Sequence, residues 1–94
     1  QKFEQFVMHY GDDPFISRTL SKMVSTRLSM LQKELKRVQN SLARFEKAYG
    51  KTSDLFIKEF QGGLAGDDMD FIEWAALVQM DDRLRAERSA LQGN

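Results

Sequence analysis

The sequence predicts an all-α protein, and three observations carry that prediction. Phe15 to Tyr49 runs without glycine or proline. Within it Val24, Leu28, Leu31, Leu35, Val38, Leu42, Phe45 and Tyr49 follow one another by alternating steps of four and three. That spacing keeps a single apolar seam on one face of a helix. Two later segments, 53–61 and 68–91, then place capping residues ahead of helically spaced apolar ones. The chain of 94 residues is read as one helical domain over 1–94. The expected architecture is a long amphipathic helix (15–49), a short connecting helix (53–61) and a C-terminal helix (68–91) packed antiparallel on the first. Copies are expected to assemble into an oligomeric helical bundle.

Asp12, Asp13 and Pro14 form the start signal of the long helix, since proline suits a first helical turn; Gly50 forms its stop. At ~1.5 Å per residue such a helix is roughly 50 Å long. Upstream of the seam, Leu20 and Ile16 continue at steps of four, a stutter that locally unwinds a supercoil. Ser25, Gln32, Gln39, Ser41 and Ala48 flank the seam with small or uncharged side chains. A two-stranded coiled coil carries charge pairs there instead. Met23 and Met30, seven apart, widen the apolar face, which fits a multi-helix bundle.

In the short helix Thr52 or Ser53 is the cap, and Leu55, Phe56 and Phe60 make the apolar side. Gln61, Gly62 and Gly63 end it. The third helix has a broad apolar face through Phe71, Trp74, Ala75, Leu77, Val78 and Met80. The face thins as Asp81, Asp82, Arg83 and Arg85 arrive, so the second half is expected to fray into solvent. Asp81 with Arg85 is an acid-first i,i+4 pair, and Arg83, Arg85 and Arg88 suit the negative end of the helix dipole. Residues 1–13 are either an arm reaching to another subunit or a short helix over the methionine stripe; Phe3, Phe6, Val7 and Tyr10 have helical spacing.

Composition excludes several classes of chemistry. There is no cysteine, and His9 is the lone histidine, so thiolate chemistry and multi-histidine metal sites are absent from a single chain. No apolar run approaches the ~20 residues that span a bilayer. The chain opens on Gln1 rather than Met, which reads as removal of an upstream segment, and the expected location is cytoplasmic. The net charge of zero hides a division. From Ser17 to Tyr49 eight bases face two acids, whereas from Gly50 onward five bases face nine acids. Such parts neutralise each other within one chain or between two copies.

The stretch GGLAGDDMDFIEW (62–74) concentrates three glycines and four carboxylates. A phosphate loop needs Gly-Lys-Ser/Thr, and a dinucleotide loop needs GxGxxG after a strand. Neither is present, and the acids following the glycines repel phosphate. For a calcium loop Asp68 and Asp70 supply two ligands, but Phe71 stands where the pattern continues and the glycine is misplaced. Capping accounts for the pattern physically: a helix opens with four unpaired N–H groups and favours negative charge there. Asp67 or Asp68 is then the cap, Asp70 lies in the first turn, and the glycines form a hinge.

Trp74 among Phe71, Ala75 and Val78 reads as core rather than a ligand-stacking surface. His9 beside Tyr10 lacks a nucleophile in a recognisable context. The carboxylate pairs Asp70–Glu73 and Asp81–Asp82 are expected on wet helix surface. No catalytic residue, cofactor or metal ligand is therefore assigned. The basic outer face, with Lys22, Arg27, Lys33, Lys36, Arg37 and Arg44, is an alternative nucleic-acid surface. It has neither stacking aromatics nor a recognition-helix motif, which weighs against nucleic acid as the partner. An anionic membrane surface requires a free apolar seam, and no membrane partner is assigned.

LARFEKAYG (41–50 without the leading serine) and TSDLFIKEFQGGLAGDDMDFIEWAALVQM (52–80) carry a resemblance. With Phe45, Glu46, Tyr49, Gly50, Phe56, Phe60, Gly66, Asp67, Asp68, Phe71 and Trp74, the chain resembles small helical antitoxin-like proteins of bacteria and archaea. The resemblance implies a non-catalytic protein that binds a toxin and holds it inactive. No active-site residue is implied, and the DNA-binding module of many antitoxins is missing. Self-association is expected through Leu20, Met23, Val24, Leu28, Met30, Leu31 and Leu35. The hinge core is expected from Phe45, Tyr49, Phe56, Phe60, Phe71 and Trp74.

Overall fold

The computed structural model describes residues 13–93. Among the described residues the chain forms α1 (Pro14–Tyr49), α2 (Ser53–Gln61) and α3 (Met69–Leu91), with no strand. The expected boundaries lie within one residue of these. Residues 1–12, read above as an arm or short helix, lie outside the described residues. The chain divides into two compact units between Met30 and Leu31, and α1 contributes to both.

Each helix starts where the sequence supplies an acceptor. Asp13 Oδ1 accepts from the amides of Phe15 at 2.9 Å and Ile16 at 3.3 Å, while Pro14 has no N–H to satisfy. Thr52 Oγ1 accepts from the Leu55 amide, and Asp68 Oδ1 accepts from the Asp70 amide at 2.8 Å. Asp68 rather than Asp67 is thus the cap of α3. α1 ends at Gly50, whose φ of +66° is one that side chains rarely adopt; its amide donates to the Glu46 carbonyl. Gly66, at φ +85°, turns the linker toward α3. Between these helices Leu64 is 81% exposed.

In the unit from Leu31 onward, two apolar clusters form. The first joins Leu31, Leu35 and Val38 of α1 to Leu84 of α3, with Leu77, Met80 and Leu91 against it. Leu84 is buried and α3 stays helical to Leu91, so its second half does not fray as expected. The thinned pattern suffices because Leu77, Met80, Leu84 and Leu91 are spaced three, four and seven apart. One seam facing one neighbour needs only about two residues in seven. The second cluster gathers Phe56, Trp74 and Ala75, with Phe45, Phe60 and Phe71 packed around them. Fully burying one such large side chain contributes ~1.5–3 kcal/mol, so these clusters dominate the stability of this unit.

The other unit is described by itself. Along its helical part, Ile16, Leu20, Val24 and Leu28 are half-buried. Phe15, Met23 and Met30 are exposed, by 69%, 61% and 50%.

Candidate interaction site

The best-defined polar geometry lies where α1, α2 and α3 meet in the unit from Leu31 onward. Ser53, in the first turn of α2, holds both neighbours. Its amide donates to Glu46 Oε2 of α1 at 2.7 Å, and its hydroxyl oxygen accepts from Trp74 Nε1 of α3 at 2.9 Å. Glu46 thereby satisfies one of the open amides of α2, and Ser53 satisfies the indole of a fully buried tryptophan.

Aromatic rings close around this polar link. Trp74 lies parallel to Phe56 at a centroid distance of 3.9 Å and an interplanar angle of 2°. Phe45 stacks on it at 5.5 Å and Tyr49 at 5.7 Å. Phe71 meets Tyr49 edge-on at 5.1 Å and Phe56 at 5.7 Å, while Phe60 contacts Phe56. All six hinge residues named from the sequence are brought into one assembly. With Trp74 fully buried, its rings serve packing and present no open face to a ligand.

At the edge of the assembly the Tyr49 hydroxyl donates to Asp70 Oδ2 at 2.6 Å. That hydrogen bond, followed by partial desolvation and the charges of Asp70 and Asp68, pushes the phenol up to about 12. The acidic stretch is therefore already engaged: Asp68 caps α3 and Asp70 accepts from Tyr49. Among the described residues no three His, Cys, Asp or Glu side chains are grouped to hold a metal. His9 lies outside them.

A groove runs between α1 and α3 in the same unit. One end is a cleft of about 250 Å³ lined by Ser41, Arg44, Phe45, Ala48, Tyr49, Asp70 and Glu73. The next, of about 340 Å³, is lined by Glu34, Arg37, Val38, Ser41, Leu77 and Met80. Ser41 belongs to both, so the two are continuous. By spacing alone Ser41 and Ala48 are only flanking positions, and the groove beside them is not expected. Only its α1 wall has a signal in the sequence, where Glu34, Arg37, Ser41, Arg44 and Ala48 repeat at steps of three and four beside the buried seam.

Two expectations need correction. Leu31 and Leu35, assigned to self-association, are covered within the chain by the cluster containing Leu84 and are not available to another copy. Asp81, expected on wet surface, has a side chain only 15% exposed. Its Oδ2 accepts from Arg85 Nε at 2.8 Å, while its Oδ1 is buried without a hydrogen-bond partner. Of the other self-association residues, Leu20, Val24 and Leu28 are half-buried, and Met23 and Met30 are exposed. On the basic face Lys22, Lys33, Lys36, Arg37 and Arg44 are exposed, whereas Arg27 is half-buried and already engaged.

No helix among the described residues is long and apolar enough to cross a membrane. Compared with known proteins, the chain matches no family model, no curated protein and no solved structure.

Proposed function

We propose that the chain is a non-catalytic helical interaction module that self-associates and binds a partner protein in the cytoplasm, as an antitoxin binds its toxin. The observation that carries this reading is the exposure of Phe15, Met23 and Met30 on a helix with no acidic residue from Pro14 to Lys33. Apolar side chains framed by charges of one sign suit a protein surface of opposite sign. The antiparallel course of α3 along α1 belongs to the same reading. Tyr49 beside Asp70 and Leu84 beside Leu31 and Leu35 support it.

Size-exclusion chromatography with light scattering tests self-association, for which a mass above that of one chain is expected. A monomer that persists at every concentration removes that part of the reading. Co-expression with the product of the adjacent gene tests the rest. The expected outcome is a stoichiometric complex and restored growth, both weakened by M23E with M30E.

A second reading follows from the exposure of Lys22, Lys33, Lys36, Arg37 and Arg44 on α1. Nucleic-acid binding through them is expected to collapse as salt rises, because each phosphate contact releases counterions. Retention on a nucleic-acid column that survives added salt, or no retention at low salt, removes this alternative.

A further inference from the structure

We propose that the groove between α1 and α3 is filled by the same groove of a second copy, about a twofold axis running along it. This rests on the self-associating part of the reading above and assigns the contact to a surface other than Met23 and Met30. The groove has an apolar floor, to which Val38, Phe45, Leu77 and Met80 contribute. Its rims carry opposite charge at one end. There Arg44 stands on the α1 side, with Asp70 and Glu73 on the α3 side; further along, α1 contributes Glu34 and Arg37, and α3 only Leu77 and Met80. Among the described residues these arginines form no ion pair with those acids; Arg44 bonds only the Ser41 hydroxyl, at 3.0 Å.

A bipolar groove of this kind is complementary to itself in one orientation. A twofold axis along the groove lays α1 of each copy over α3 of the other at the same height. Arg44 then faces Glu73 of the partner subunit, and Glu73 faces Arg44 of the partner subunit. A twofold axis across the groove instead lays α1 on α1 and α3 on α3, where the α3 lining offers Asp70 and Glu73 no base to pair with, which electrostatics disfavours. A foreign helix needs acids along one flank and bases along the other to fit equally well. A second copy supplies both. The fit extends from Glu34 to Ala48 along α1, roughly 21 Å at ~1.5 Å per residue.

The test is charge reversal read by sedimentation equilibrium on the whole chain. Wild type is expected to be a dimer that weakens as salt is added. R44E and E73R should each raise the dissociation constant by at least ~10-fold, since each creates two like-charged contacts per dimer. An equimolar mixture of R44E and E73R should dimerise again, because every contact in the mixed pair is then of opposite sign. Circular dichroism confirms that each variant remains helical. A monomeric wild type, a salt-insensitive dimer or a mixture that fails to recover overturns the proposal. A dimer untouched by R44E and E73R but broken by M23E with M30E also overturns it, while leaving self-association itself in place.

Discussion

The indole N–H of Trp74 donates to the Ser53 hydroxyl at 2.9 Å, so the largest buried ring of α3 is fixed to the first turn of α2. Removing the hydroxyl leaves a buried donor unpaired, which costs ~1–3 kcal/mol. S53A is therefore expected to lower unfolding free energy by that amount in urea titrations followed by the emission of the lone tryptophan. A change smaller than ~0.3 kcal/mol shows that the bond contributes nothing net.

Glu46 approaches the same serine from the other side, accepting from its amide at 2.7 Å. It thus acts as a cap supplied by a neighbouring helix rather than by α2 itself. E46A should cost about 0.5–2 kcal/mol, the range for losing a cap. In combination with S53A the losses should be non-additive, because both residues belong to one connected network. Strict additivity in a double-mutant cycle contradicts the linkage.

Tyr49 supplies a pH-dependent handle. Its folded value of about 12 lies above the ordinary 10.0, so the folded state keeps a proton that the unfolded state releases. The resulting stabilisation is whole below pH 10 and is lost as pH rises through about 12. In an ultraviolet titration, one phenol of wild type should ionise near 12, and Y49F should lack that step. Ionisation of Tyr49 at 10.0 shows that the bond to Asp70 does not persist in solution.

Leu84 tests the course of α3 beyond Met80. Truncation of this buried side chain by L84A should cost ~2–5 kcal/mol. Amide exchange around Leu84 should be as slow as around Trp74 in wild type. Fast exchange there, with a mild L84A, would restore the fraying expected from the sequence.

Helix positions were legible because their signals are local. Asp13 with Pro14, Thr52 and Asp68 start helices through contacts two or three residues away, and Gly50 ends one through its own backbone. The aromatic joint was legible too, since large rings on three short apolar faces have little else to bury against. What the sequence could not reveal was allocation between partners. The heptad seam runs unbroken from Val24 to Tyr49, so nothing in its spacing marks where Leu31 and Leu35 are taken up by Leu84. Nor does spacing disclose that Asp81 is half-buried, because the three adjacent polar residues Asp81, Asp82 and Arg83 look alike until a neighbouring helix shelters one of them. The groove escaped for the same reason: it belongs to two helices, and neither displays it alone.

The exposed Leu64 gives the molecule a natural place to be cut. Chymotrypsin should nick the chain there before touching the rings on either side, leaving pieces 1–64 and 65–94. Since Phe56 and Trp74 fall on opposite sides of that scission, the halves should stay together without a peptide bond and recombine after separation. The protein would then serve as a split reporter, whose reassembly is driven by the ring assembly and by the cluster of Leu31, Leu35, Val38 and Leu84, both of which the cut divides.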